Sequence, residues 1–197
     1  MTNVSMNAFE NEPGVLKFAL LVPRELVEGD TSMYSIEEYA SQDAFRSHLQ
    51  TQPVKDMFAW IDSENIYTEP PLVHRLDSID GFDFIRPELI QEYDPYVLWR
   101  EVAYKPGASA SAYPLWRKVV QTSKDESGTI MYGVYNDTSG SDKIVTVEAY
   151  KEEKYLQLHE RSTTSLELKQ ATKDTELLNK MTILRLQGGF FYKPPSV

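Results

Sequence analysis

Lys143–Tyr150 (KIVTVEAY) is the stretch that decides the fold, because its last four residues have a counterpart in Ile36–Tyr39 (IEEY). The separation of the two is 111 residues, and His159 follows His48 at the same separation. The alternation in KIVTVEAY is typical of a half-buried β-strand. We therefore predict that the chain contains two copies of one structural unit.

Two further matches flank this pair. Glu12-Pro13-Gly14 resembles Glu126-Ser127-Gly128 at a separation of 114, and Arg75-Leu76 matches Arg185-Leu186 at 110. Loops of different length between fixed elements produce such small changes in separation. We predict a first repeat over residues 1–80, a linker over 81–95 and a second repeat over 96–197.

The second repeat has the more complete pattern of elements. Hydrophobic periodicity predicts the element order β-α-β-β-α-α-β. The predicted strands are Tyr96–Tyr104, Thr129–Tyr135, Lys143–Tyr150 and Met181–Phe191. The predicted helices are Ala108–Lys124, Glu152–Arg161 and a more polar one over Thr164–Leu178.

The first repeat is shorter at its beginning. Its predicted strands are Val15–Val22, Met33–Tyr39 and Leu72–Leu76, and its predicted helices are Gln42–Leu49 and Pro53–Ile61. Before Gly14 there is room for the end of a helix or a loop over Met1–Asn11, but not for an opening strand as well. A missing strand leaves backbone groups unpaired, which favours association, for example as a homodimer.

Composition narrows the range of functions. The 30 acidic and 20 basic residues give a net charge of −10, which disfavours nucleic acid and anionic membranes as partners. Because the chain has no cysteine, disulfides, thiolate metal sites and cysteine nucleophiles are excluded. No apolar run reaches the roughly 18 residues of a membrane span, and no signal peptide is evident. We expect a cytoplasmic protein.

The pattern resembles the antibiotic biosynthesis monooxygenase family. The resemblance rests on Glu-(Pro/Ser)-Gly before a strand, on Val-Glu-x-Tyr at the end of the next strand, and on a histidine nine residues after that tyrosine. It implies an α+β fold, in which tandem ferredoxin-like β-α-β-β-α-β units form a dimeric-type α+β barrel. The first unit would lack its opening strand. Ser127 in place of proline and the polar last helix are departures from the family pattern.

Histidine provides the first candidates for chemistry. His159 lies next to apolar positions of its helix and can exchange a proton near neutral pH, so it is our candidate catalytic base. The alternative is a structural histidine that is hydrogen-bonded to backbone or to Glu148. His48 is its repeat equivalent and a candidate substrate-binding residue, whereas His74 is expected to be structural.

Aromatic side chains are the second group of candidates. We expect Trp99, Tyr132, Tyr150 and Tyr155 to contribute to a substrate pocket, although core packing also explains most of the aromatic residues. Asn136 could bind a carbonyl or phenol oxygen, or could simply begin a turn. The charged run Lys124-Asp125-Glu126 is expected to be a solvated surface.

The resemblance implies a cofactor-independent monooxygenase that uses dioxygen to oxidise an aromatic polyketide-type phenol or anthrone to a quinone. His159 would be the base, and no metal or other cofactor is expected. The alternatives are a non-catalytic binding or interaction protein of the same fold and a cofactor-free isomerase or lyase. The shape of the pocket around His159 should distinguish these functions.

Overall fold

The structure of the protein is a computed structural model that describes residues 2–25, 27–140 and 142–194. Its helices are α1 (Thr2–Asn11), α2 (Gln42–Leu49), α3 (Gln52–Glu64), α4 (Ser109–Ser123), α5 (Glu153–Glu160) and α6 (Thr163–Thr172), with a 3-10 helix at Pro87–Gln91. Its strands are β1 (Val15–Pro23), β2 (Tyr34–Tyr39), β3 (Leu76–Ile85), β4 (Tyr96–Tyr104), β5 (Thr129–Asp137), β6 (Lys143–Tyr150) and β7 (Glu176–Phe190).

The fold class predicted from the sequence, α+β with tandem ferredoxin-like units, is confirmed. The predicted bounds of β4, β6 and α2 agree with the structure to the residue. Residues 2–11 form helix α1, which decides between the two possibilities for the start of the chain, and Met1 lies outside the described residues. No strand precedes β1 within residues 2–14.

The chain divides into two compact units. One contains residues 1–22, 27–73 and 186–197, and the other contains 23–26 and 74–185. The strand that closes the first repeat, β3, therefore belongs to the second unit, and the end of β7 belongs to the first. The division of the sequence at 80 and 96 describes repeats rather than these compact units, and it stays a prediction.

The second unit is built on five antiparallel strands in the order β7-β4-β6-β5-β3. The central strand β6 is buried on both faces rather than on one, which corrects the expectation of a half-buried strand. The register places Leu98, Glu148 and Tyr132 in one row across β4, β6 and β5. Helix α4 packs with α6, and its buried side chains Ala112, Trp116, Val119 and Val120 enter the core of this unit.

The first unit has a smaller sheet, in which β1 lies between β2 and the end of β7. Phe18 of β1 is opposite Glu37 of β2, in the same way as Tyr132 is opposite Glu148 in the other unit. Helices α1 and α3 cover this sheet with apolar side chains, among which Val4, Ala8 and Val54 are almost fully buried.

The largest differences from the sequence prediction are at β3 and where α6 gives way to β7, whereas α3 and β5 are only slightly longer than predicted. The closing strand of the first repeat is Leu76–Ile85 rather than Leu72–Leu76, so that much of the predicted linker is a strand, and a 3-10 helix follows at Pro87–Gln91. Pairing with β5 stabilises this strand despite its aspartates and glycine. Helix α6 ends at Thr172 rather than at Leu178, because β7 already begins at Glu176, which is opposite Tyr104 of β4.

None of the helices in the described part of the chain is long and apolar enough to cross a membrane.

Candidate functional site

The candidate site lies in the second unit, on the helix-facing side of the sheet. Side chains alternate between the two faces of a strand, so Leu98 and Arg100 of β4 share a face with Glu148 of β6 and Tyr132 of β5. Helix α5 places His159 over this face, with the imidazole centroid 5.1 Å from the ring of Tyr132 and 5.8 Å from that of Tyr150. His159 is only 2% exposed, whereas its neighbour Leu158 is 63% exposed.

His159 is oriented by Glu126, a residue of the turn before β5. Nδ1 of His159 lies 3.0 Å from Oε2 and 3.2 Å from Oε1 of this carboxylate. A carboxylate only accepts hydrogen bonds, so Nδ1 of His159 carries a proton and donates it. In the neutral imidazole, Nε2 is therefore the nitrogen without a proton. Nε2 lies 3.3 Å from the hydroxyl of Ser165 at the start of α6. The pair thus resembles other base-and-carboxylate pairs in which the carboxylate sets the tautomer.

The charges of the pair shift both pKa values. Burial lowers the pKa of His159, but the hydrogen bond to Glu126 and the charge of Glu148 outweigh burial, and the pKa lies above its ordinary value. Burial raises the pKa of Glu126, but the hydrogen bond and charge of His159 outweigh it, and the pKa is lowered. The protonated imidazole and the ionised carboxyl therefore stabilise each other.

The partner of His159 corrects two sequence expectations. The structural alternative named backbone or Glu148 as its hydrogen-bond partner, and the side-chain partner found is Glu126, with Ser123 and Ser165 nearby. Glu126 was expected to lie on a solvated surface, yet it accepts hydrogen bonds from both His159 and Thr129. The repeat offered a signal for this pair, because Glu12 and Glu126 recur just as His48 and His159 do.

A second polar group occupies the sheet beneath His159. The buried carboxylate of Glu148 accepts a hydrogen bond from Tyr150 (2.6 Å) and one from Thr146 (2.6 Å). Burial and the charge of Glu148 raise the pKa values of Tyr132 and Tyr150 well above the ordinary value, so both phenols stay protonated. The two tyrosines are therefore members of a buried network rather than free faces for stacking.

Arg100 lies beside Glu148 and Glu160. It is 4% exposed, its Nη2 forms an ion pair with Glu160, and Nη1 lies 3.4 Å from Oδ1 of Asn179. Burial lowers the pKa of Arg100, but Glu148 and Glu160 outweigh burial and raise it, so the guanidinium is charged. Arg100 is not predictable as a site residue from the sequence, because a single arginine within an apolar strand matches no motif.

His159, Tyr132 and Arg100 lie around a small cavity of about 20 Å³, which has room for about one water molecule. Its wall is formed by strands β4, β5 and β7 and by helices α4, α5 and α6. It is lined by Arg100, Trp116, Val119, Tyr132, His159, Glu160, Ser165, Leu168, Lys169, Thr172, Glu176 and Asn179. The polar residues of α6, which departed from the family pattern, therefore face this cavity.

The structure does not bring all the predicted site residues together. Trp99 lies on the opposite face of the sheet, where its ring is 5.4 Å from that of His74. Asn136 is near the end of β5, with Oδ1 3.4 Å from the hydroxyl of Tyr113, and does not line the cavity. Tyr155 does not line it either. Its ring packs on Gly128, where an added Cβ would lie 2.0 Å from the ring.

His48 belongs to the first unit and has its own glutamate. Its Nδ1 lies 2.9 Å from Oε2 of Glu12, and the rings nearest to it are those of Phe18 and Tyr39. The side chain is 3% exposed. The Glu–His pair is therefore repeated in both units, and this repetition shows that it is part of the framework of each repeat.

Among the residues that the structure describes, no group of three or more histidine and carboxylate side chains is arranged to bind a metal ion.

Comparison with known proteins identifies relatives of the chain. The sequence profile of the family described as antibiotic biosynthesis monooxygenase matches residues 5–60 and 95–171. No curated protein matches the chain. A proposed monooxygenase from Fusobacterium nucleatum has a similar structure, with a TM-score of 0.74 and 20% identity over 98% of this chain and 87% of the other. A proposed monooxygenase from Lactobacillus acidophilus superposes with a TM-score of 0.75 and 14% identity, over 95% and 86% of the two chains. At these identities the two structures show a shared fold.

Proposed function

Because the chain belongs to the antibiotic biosynthesis monooxygenase family, we propose that it is a cofactor-independent monooxygenase that oxidises a phenol or anthrone to a quinone. The observation that supports this proposal best is the orientation of His159. Glu126 holds Nδ1, and Nε2 faces the cavity beside Tyr132 and Ser165. A buried base of defined tautomer, next to a site shielded from water, is what removal of a proton from such a substrate requires.

The chemistry balances with dioxygen as the only co-substrate. Nε2 of His159 takes a proton from the carbon between the rings of the anthrone, and the resulting carbanion passes one electron to dioxygen. The substrate radical and superoxide then form a C–O bond. Protonation of the peroxide and loss of the second proton from the same carbon break the O–O bond, so that one anthrone and one dioxygen give one quinone and one water.

The size of the cavity sets a condition on this reaction. A three-ring substrate does not fit into about 20 Å³, so the wall of the cavity must open. Helix α6 is held mainly by polar contacts, because Thr164, Ser165 and Thr172 are three of its four buried residues. We propose that outward displacement of α6 admits the substrate.

The experiment that tests the proposed function is oxygen uptake by the metal-stripped protein with a panel of anthrones and phenols, with ¹⁸O₂ as the oxidant. We expect quinone that contains one labelled oxygen atom per turnover, with the second atom in water. Absence of uptake above the protein-free control across the panel would contradict the proposal.

Two observations favour an alternative function, a non-catalytic binding or interaction protein. The cavity is nearly filled by side chains, and the equivalent space of the first unit is occupied by apolar residues. A protein of this kind would bind an aromatic ligand without consuming oxygen. Binding of the quinone product class together with no uptake on any substrate would identify this alternative.

The homodimer and the cytoplasmic location predicted from the sequence remain proposals. Strand β2 lies at the end of the sheet order, whereas its repeat equivalent β6 lies between β4 and β5. The outer edge of β2 is therefore where we propose that a second chain pairs. Light scattering after size exclusion should give twice the chain mass of 22.6 kDa, and a monomer mass would contradict the homodimer.

A further inference from the structure

The two repeats share one framework but differ at the positions around the cavity. Phe18 replaces Tyr132 at a separation of 114 residues, and the register confirms that these positions are equivalent, since each is opposite the glutamate of the repeated strand. Along the helices the separation is 111, and there Leu49 replaces Glu160 and Val54 replaces Ser165. Polar residues in the second repeat thus correspond to apolar ones in the first.

The apolar residues of the first repeat fill its core. Val54 is 1% exposed and packs with Phe18, Val15 and Val4 in one hydrophobic cluster. Ile61, the equivalent of Thr172, is also buried. This unit therefore uses the shared framework for packing, with no polar group at these positions to receive a ligand.

The second repeat contains a buried donor without an acceptor. In the described part of the chain, Nε of Arg24, Arg100 and Arg185 is buried without a hydrogen-bond partner, and of these three arginines Arg100 lines the cavity. Oε1 of Glu148 is 3.6 Å from Nε of Arg100, and both oxygens of Glu148 already accept hydrogen bonds from hydroxyl groups. A buried donor left unpaired costs roughly 1–3 kcal/mol, so such groups commonly mark where a ligand or water binds.

We propose that each chain has a single substrate site, in the second repeat, and that Arg100 receives a carbonyl or hydroxyl oxygen of the substrate there. The identity of the ligand rests on the proposed function, whereas the single site and the donor do not. A substrate that binds in its neutral form suits this position, because Glu148 and Glu160 on either side of Arg100 disfavour a ligand that is already an anion. As His159 removes the proton, negative charge develops on that oxygen, and the guanidinium stabilises it.

Ser165 extends the same polar surface. Its hydroxyl lies 3.3 Å from Nε2 of His159 and accepts a hydrogen bond from Ser162. A substrate that reaches Nε2 must displace this hydroxyl, which can then donate to a second oxygen of the substrate. Arg100 and Ser165 would together select ligands with two oxygen atoms and reject unsubstituted aromatic hydrocarbons.

Binding of 1,8-dihydroxyanthraquinone, which belongs to the product class and does not consume oxygen, tests this inference by titration calorimetry and tryptophan fluorescence. We expect one ligand per chain. Arg100→Lys keeps the charge but loses Nε–H, and should weaken binding by about tenfold, the value of one charge-assisted hydrogen bond. Arg117→Met, which removes an exposed cation of α4, should leave the affinity unchanged.

A second pair of variants tests the inference even if Arg100→Lys does not fold. In each of them, a residue of one repeat is replaced by its equivalent from the other repeat. Ser165→Val gives the second repeat the residue of the first and should weaken binding, whereas Val54→Ser makes the reverse change and should not alter affinity or stoichiometry. Two ligands per chain, no binding, or equal effects of the two exchanges would overturn the inference. One ligand per chain with the expected dependence on Arg100, but no oxygen uptake, would refute the oxygenase and leave the binding site standing.

Discussion

Nδ1 of His159 lies 3.0 Å from Oε2 of Glu126, and the same two atoms of His48 and Glu12 are 2.9 Å apart in the first repeat. Each pair connects a helix to the turn that precedes a strand, so it fixes the helix on the sheet of its unit. In the second unit, Nε2 of the histidine also faces a cavity lined by polar groups. The same contact therefore connects helix and sheet in both repeats, and in the second it also orients a histidine that lines a cavity.

The contribution of the Glu126–His159 pair to the free energy of unfolding should depend on pH. The raised pKa of His159 contributes stability that is present below its unfolded value of 6.5 and is lost as the pH rises through the folded value. The lowered pKa of Glu126 contributes stability that is present above 4.5 and is lost as the pH falls through the folded value. The joint contribution should therefore be largest between these two values.

Glu126→Gln tests this dependence. In urea unfolding, the variant should lose about 1–3 kcal/mol at about pH 5.5, and clearly less once the pH has risen above the folded pKa of His159. Glu167→Gln, which removes an exposed carboxylate of α6 paired with Lys118, should cost little at either pH. A loss that does not change with pH would mean that Glu126 and His159 do not titrate as a pair.

The same substitution should shift the pH dependence of catalysis. A base acts in its neutral form, so kcat/KM should rise as the pH increases through the pKa of His159. Without the negative charge of Glu126 that pKa falls, and the rise should move to lower pH in Glu126→Gln. Stopped-assay rates across the pH range measure this shift, and an unchanged midpoint would exclude His159 as the titrating base.

Gly128 should be intolerant of a side chain. A Cβ there would lie 2.0 Å from the ring of Tyr155, so Gly128→Ala should lower the free energy of unfolding by about 1–3 kcal/mol, the usual cost of overpacking. Tyr155→Ala in the same chain should recover part of this loss, since it leaves space for the methyl group. Additive effects of the two substitutions in urea unfolding would show that the ring does not cause the cost.

Entry of substrate should require movement of α6. The hydroxyl groups of Thr122 on α4 and Thr164 on α6 are 2.9 Å apart, so cysteines at both positions are close enough to form a disulfide in a chain that has no other cysteine. The oxidised Thr122→Cys/Thr164→Cys variant should lose binding of hydroxyanthraquinone and regain it on reduction. Equal binding by the oxidised and reduced forms would show that the ligand enters by another route.

Much of the fold was predictable because the strongest strands are also the most regular in sequence. β6 alternates along its length, β4 has a strand-like composition and is followed by the turn signal Lys105-Pro106-Gly107, and the predicted bounds of both agree with the structure. β3 was misplaced, because Asp77, Asp80, Gly81 and Asp83 give no alternating pattern. That strand depends on pairing with β5, which lies far away in the sequence.

The candidate site was only partly predictable. His159 and Tyr132 are found at the cavity, whereas Trp99 faces the other side of the sheet, a position that follows from alternation once β4 and β6 are paired in register. Arg100 and Ser165 were missed, since neither belongs to a motif. Comparison of the two repeats would have indicated Ser165, because the equivalent Val54 is the apolar residue that a core position normally requires.

The most direct test of the central claim is oxygen uptake with an anthrone by two matched variants, His159→Asn and His48→Asn. Both histidines are buried and paired with a glutamate, and asparagine keeps a donor close to the position of Nδ1. We predict that His159→Asn reduces the rate at least about tenfold, as expected on loss of a general base, and that His48→Asn leaves it within about twofold of the parent protein. Equal losses in the two variants, or a fully active His159→Asn protein, would contradict a single oxygenase site in the second repeat.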